Sequence, residues 1–129
     1  MINIILLVFA GGAVGAILRE LLMLGVPRLS DGFPLDILAA NVAASFLLGL
    51  ASGLHRRHVL TDNLNLLIGT GIMGGLSTFS SFVYGAYQLT AESATGAIVA
   101  LLYVLVSLGL GYGAVALGLR IGAQRPKAP

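Results

Sequence analysis

In one-letter code, residues 64–89 read LNLLIGTGIMGGLSTFSSFVYGAYQL. The apolar density is that of a membrane span, yet Gly69-Thr-Gly71 and Gly74-Gly-Leu-Ser-Thr-Phe-Ser-Ser-Phe82 put poor helix formers in the middle of it. The second of these segments holds two glycines, three serines and a threonine in nine residues. That mixture predicts a helix broken over residues 74–79, with carbonyls that have lost their intrahelical partners. At membrane depth such carbonyls must line a buried cavity or hold a ligand. Several converging would suit a hard monovalent cation such as Na⁺. Phe79 and Phe82 are three residues apart and share one face of the resumed helix. Ordinary packing is the plain alternative for two phenylalanines, and the Ser80-Ser81 pair between them is the reason to weigh another role.

The rest of the chain fits the same environment. Of its 129 residues, 57% are hydrophobic and only 9% charged, and the mean hydropathy is +0.99, outside the range of soluble domains. Three further apolar blocks, about 2–24, 35–54 and 94–121, are each long enough to cross a hydrocarbon layer, which takes about 20 helical residues. Four strands cannot close a barrel, and backbone amides in lipid must be satisfied internally, so all four spans are expected to be helices. The expectation is an all-α membrane protein, with residues 1–129 as one four-helix domain. Gly25, Pro27, Ser30, Asp31, Gly32 and Pro34 form a loop after the first helix. The N-terminus lacks a basic n-region, and its apolar block is too long for a signal peptide, so it reads as a retained helix. Glycines and alanines at helical spacing (Gly11 and Gly15, Ala39 and Ala43, Ala40 and Ala44, Gly109 and Gly113) read as helix-packing surfaces. Arg56, Arg57, Arg120, Arg125 and Lys127 fall at one end, with Arg28 and the nearby Arg19 toward the other, which favours cytoplasmic termini.

Composition also excludes several functions. A net charge of +2 without a basic run argues against nucleic-acid binding. With no cysteine there are no disulfides or thiolate sites. No nucleophile, base and orienting group can be placed together, which argues against an enzyme.

Polar residues inside a membrane are costly, so each is a candidate site. Asn41 is foremost, with Ser45, Gly49 and Ser52 or Gly53 following at helical spacing; structural glue between helices is its alternative. In the fourth span Tyr103, Ser107 and Gly111 form a stripe, though a hydroxyl can also bond its own helix. His55 and His58 flank two arginines in a short loop and read as a solvated turn, not a metal site. Arg19-Glu20 either snorkels to the interface or sets a positive potential at a vestibule. Asp31, Asp36, Asp62 and Glu92 lie in or beside loops, and no span carries a central carboxylate.

Taken together these segments resemble the Fluc (CrcB) family of fluoride channels over nearly the whole chain. The resemblance rests on Gly11-Gly-Ala-Val-Gly-Ala-Ile-Leu-Arg19, on Asn41-Val-Ala-Ala-Ser-Phe46-Leu-Leu-Gly49 and, most specifically, on Gly74–Phe82. It implies an antiparallel, dual-topology dimer in a bacterial inner membrane. It also implies two pathways that export fluoride passively and relieve its toxicity, and a central structural Na⁺ held by the carbonyls of Gly74 and Ser77. By the same resemblance Asn41, Phe79, Phe82, Ser80, Ser81, Tyr103 and Ser107 line the fluoride pathway, and Arg19 its vestibule. Serines replace the usual threonines at Ser77 and Ser81. Glu20, Ile37, Gly85 and Gly111 stand where tyrosine, threonine, glutamate and serine are common in the family. The main rival reading is a small multidrug-resistance-type proton-coupled exporter. That mechanism needs a membrane-embedded carboxylate and usually tryptophan, and this chain has no tryptophan. A non-conducting assembly subunit is the other rival.

Overall fold

The computed structural model describes residues 2–26, 32–92 and 95–124. Pro27, Arg28, Ser30 and Asp31 of the first loop, Ala94, and Arg125 and Lys127 of the tail lie outside the described residues. Every regular element among those described is helical: α1 (Ile2–Gly25), α2 (Leu35–Arg56), α3 (Asp62–Asn65), a π-helical segment Leu66–Ile72, α4 (Met73–Leu76), α5 (Phe79–Glu92) and α6 (Gly96–Ala123). Residues 62–91 act as one span, so the chain has four helical segments long and apolar enough to cross a membrane. With 24, 22, 30 and 28 residues they exceed the roughly 30 Å of hydrocarbon at about 1.5 Å rise per residue. Their outer faces are apolar: Ile5, Phe9, Ile17 and Leu24 are each more than 60% exposed, as suits side chains solvated by lipid.

Glycines set which spans touch. A Cβ on Gly49 would lie 2.1 Å from the Val115 carbonyl, and one on Gly118 would lie 2.1 Å from that of Phe46; Gly53 and Gly122 meet α6 and α2 backbone in the same way. The matches rise together in number along both helices, so α2 and α6 run parallel with backbones in contact, as small residues permit in a membrane. Gly11, Gly15 and Gly75 do the same for α1 against residues 67–76. Two parallel pairs, first with third and second with fourth, make up the fold. The expected packing role holds for Gly11 and Gly15. It does not hold within this chain for Gly109 and Gly113, where an added Cβ would meet nothing.

The polar end is tied down by its own arginine. Arg57 donates to the Gln124 carbonyl at 2.6 Å and to that of Gly122 at 3.5 Å, closing the end of α6. His58 turns the chain with φ of 58°, a left-handed value. His55 lies between the Leu60 carbonyl (3.1 Å) and Asp62 (3.6 Å). No metal-binding cluster of three such side chains occurs among the described residues.

Candidate functional site

The third span changes character in three steps. A π-helical segment that contains the Gly69-Thr-Gly71 marked in the sequence runs to Ile72, and α4 continues through Gly74 and Gly75, both expected outside helix. Ser77 is then extended (φ −74°, ψ 152°), and α5 starts at Phe79. Ser77 N–H still donates to the Met73 carbonyl at 2.9 Å, but the next N–H, that of Thr78, turns away to Asn41 Oδ1 at 2.8 Å. Asn41 Nδ2 donates back to the Thr78 carbonyl at 3.2 Å. One carboxamide on α2 therefore takes the Thr78 N–H that has left the helical pattern, and adds a donor to the Thr78 carbonyl, which also accepts the Phe82 N–H at 3.4 Å.

Thr78 is 7% exposed and was missed in the sequence. Its Oγ1 accepts the Ser81 N–H at 3.2 Å, which caps the start of α5, and donates to Ser81 Oγ at 2.9 Å, with Ser80 Oγ at 3.4 Å. A threonine immediately before an apolar helical run is an N-cap signal, so this residue could have been found. Donor arithmetic leaves capacity over: the second Asn41 N–H and the Ser81 hydroxyl proton have no partner among the described residues.

Arg19 reaches inward. Its Nη1 donates to the Gly75 carbonyl at 3.1 Å, capping the carbonyl end of α4 from α1. With Gly75 taken, no N–H among the described residues reaches the carbonyls of Gly74 or Ser77. Both residues are exposed, as is Phe79 at 78%.

Beyond Thr78 a file of aromatic rings begins. Phe79 and Phe82 have ring centroids 6.1 Å apart, Phe82 and Tyr103 are 5.4 Å apart, and Phe33 meets Tyr103 edge-on at 5.5 Å. Tyr103 is 1% exposed. The Tyr103 hydroxyl and Ser107 Oγ are buried with no hydrogen-bond partner among the described residues. The option that Ser107 bonds its own helix is therefore not taken. A groove of about 450 Å³ runs along this region, lined by Asn41, Ser45, Ser77, Phe82, Ser107 and Gly111 among others. Asn41, Ser77, Phe79, Phe82 and Ser107 thus share one groove, Tyr103 packs on its Phe82 wall, and Ser80 and Ser81 bond to Thr78 beside it. Arg19 stands apart, joined to the site through Gly75. Asp36, expected at a loop, is buried in the first turn of α2, where its Oδ1 accepts the Ile37 N–H at 2.9 Å. An acid suits that position, because a helix N-terminus presents unpaired donors.

A groove at membrane depth with unpartnered hydroxyl donors, a carboxamide and aromatic rings on its wall, and without a cationic side chain there, fits a small anion held loosely. The family model for CrcB-like protein, Camphor Resistance (CrcB), matches residues 6–119. The chain belongs to the CrcB-like family. This CrcB-like chain is 52% identical over 130 residues to the fluoride-specific ion channel FluC 3 of Yersinia pseudotuberculosis, covering 100% of the chain and 96% of that relative. It is 52% identical over 124 residues to FluC 2 of Brucella melitensis, covering 96% of the chain but 46% of that relative, so it spans about half the length of the Brucella protein. To FluC of Ignicoccus hospitalis it is 44% identical over 111 residues, covering 86% of the chain and 88% of the relative. Each of the three is named a fluoride-specific ion channel.

Proposed function

We propose that this CrcB-like chain is a passive fluoride channel, not an enzyme, working as an antiparallel pair of copies in a bacterial inner membrane and exporting fluoride to relieve its toxicity. The observation that carries this reading is the pair of buried, unpartnered hydroxyls: Ser107 Oγ, on a residue that lines one groove with Asn41, and Tyr103 OH, whose ring packs against Phe82 on the groove wall. A buried hydroxyl without a partner costs about 1–3 kcal/mol, and a membrane site that keeps two has donors to offer an anion.

Fluoride is small and strongly hydrated, so a pore must replace its water without trapping it. Hydroxyl protons and the free Asn41 N–H can take over that solvation, and the positive edges of the Phe79 and Phe82 rings add weak contacts. Several weak sites in series favour passage over retention. Phe79 on the groove wall is exposed, and polar groups cannot face lipid. A second copy on that side would enclose the path and bring its own Gly74 and Ser77 carbonyls alongside these. Carbonyl oxygens released from helical hydrogen bonds are the hard donors that Na⁺ prefers, so Gly74 and Ser77 fit the expected structural ion. When bound, it would supply a fixed positive charge beside the path. The exporter rival finds no support: Glu20 is exposed next to Arg19 near the end of α1, away from the groove.

Phe82→Ala tests the reading. It removes the ring that joins Phe79 to Tyr103 while leaving the Asn41–Thr78 bonds intact. In reconstituted vesicles it is expected to lose fluoride efflux while eluting like the unmodified protein in size exclusion. Efflux at the unmodified rate would defeat the assignment of the path.

A further inference from the structure

We infer that Ser45 is a further hydrogen-bond donor of the conduction path, carrying it beyond Asn41 and Ser107 along the seam between α2 and α6; this rests on the fluoride reading above. Ser45 lies one turn after Asn41 on α2 and lines the same groove as Ser107, Gly111 and Tyr112. Its Oγ lies 3.6 Å from the point where a Cβ on Gly111 would stand, the nearest atom to that point from outside α6's own backbone. The hydroxyl therefore looks across the seam into the gap that the glycine leaves.

A second serine on α2 gives the contrast. Ser52 Oγ is folded back onto the Leu48 carbonyl at 2.8 Å, the usual way a helical serine satisfies itself in an apolar medium. Ser45 makes no such bond to its own helix, and its hydroxyl meets no hydrogen-bond partner among the described residues. Within one groove, then, the Ser45, Ser107 and Asn41 side chains each keep an unused donor. Because α2 and α6 run parallel, with Ser45 beside Gly111, Asn41 falls level with Ser107, and the series Tyr103, then Ser107 with Asn41, then Ser45 advances in one direction. It leads from the end of the molecule near Asp36 toward the end that carries Arg56, Arg57 and Arg120. A path of donors that ends at Asn41 would leave an anion facing Leu48, Leu108 and Val115 on its way to that end, and the Ser45 hydroxyl bridges part of this interval.

The test is fluoride efflux from vesicles reconstituted with the full chain. Ser45→Ala is expected to conduct about tenfold more slowly than the unmodified protein, the scale of one lost hydrogen bond to a charged group. Ser52→Ala, which removes a hydroxyl engaged with its own helix, is expected to match the unmodified protein. The double variant Ser45→Ala with Gly111→Ser returns a hydroxyl to the same gap from α6 and is expected to recover most of the rate, a result that a packing role for Ser45 would not give. If Ser45→Ala conducts at the unmodified rate, or if the double variant stays as slow as the single one, the inference is overturned while the channel reading stands. A silent unmodified protein would defeat the channel reading and this inference with it.

Discussion

Asn41→Ala is expected to abolish fluoride efflux and to lower thermal stability in the same protein. The two effects share one cause. The carboxamide takes the Thr78 N–H at 2.8 Å and gives an N–H to the Thr78 carbonyl at 3.2 Å, and Thr78 is 7% exposed. Alanine leaves the Thr78 N–H unpaired, at about 1–3 kcal/mol, and leaves its carbonyl with only the 3.4 Å bond from the Phe82 N–H. It also removes the spare N–H that faces the groove. Asn41→Asp separates the contributions: a carboxylate can still accept the Thr78 N–H, but it donates nothing and repels an anion. This variant is expected to be silent in efflux while melting closer to the unmodified protein than the alanine variant does. Thermal unfolding in detergent beside vesicle efflux measures both, and an alanine variant that conducts normally would leave Asn41 as helix glue alone.

Gly118→Val should prevent the fold from forming. A Cβ at this position would lie 2.1 Å from the Phe46 carbonyl and 2.8 Å from the Leu50 nitrogen, and both are backbone atoms that no rotamer change can move. Ordinary overpacking costs about 1–3 kcal/mol because side chains can shift. Here α2 and α6 would have to separate along the seam that holds Asn41 beside Ser107. The expected outcome is aggregated or undetectable protein in size exclusion. Gly109→Ala, by contrast, meets no neighbouring atom in the chain and is expected to keep the chain folded. A monodisperse, conducting Gly118→Val protein would show that the two helices do not pack as described.

The four spans were legible because membrane helices announce themselves: 9% charge leaves little room for any other division of the chain. Most of the polar groove residues, Thr78 excepted, were legible for a related reason, since polar side chains in an apolar block are few. What could not be read was which helix each one faces. Asn41 and Thr78 are 37 residues apart and Arg19 and Gly75 are 56 apart, and no local pattern links either pair. Gly49 and Gly53 read as the small side of the Asn41 face, whereas in the fold they are the contact that lets α2 lie against α6. Gly109 and Gly113 have the same spacing and touch nothing within the chain, so spacing alone does not tell a packed glycine from an unpacked one. Gly69-Thr-Gly71 marked an irregular stretch before Met73, but not its π-helical form or the close approach of Gly71 to Gly11 on α1.

The central claim is that a naked halide, specifically the smallest one, crosses the bilayer along these donors and rings without an energy source. Purified chain reconstituted into vesicles loaded with fluoride or with chloride, and diluted into halide-free medium with a potassium ionophore, tests it most directly. Rapid fluoride efflux with chloride retained, unchanged when Na⁺ or proton gradients are removed, is the expected result. Vesicles that hold both halides, or release both equally, would contradict it.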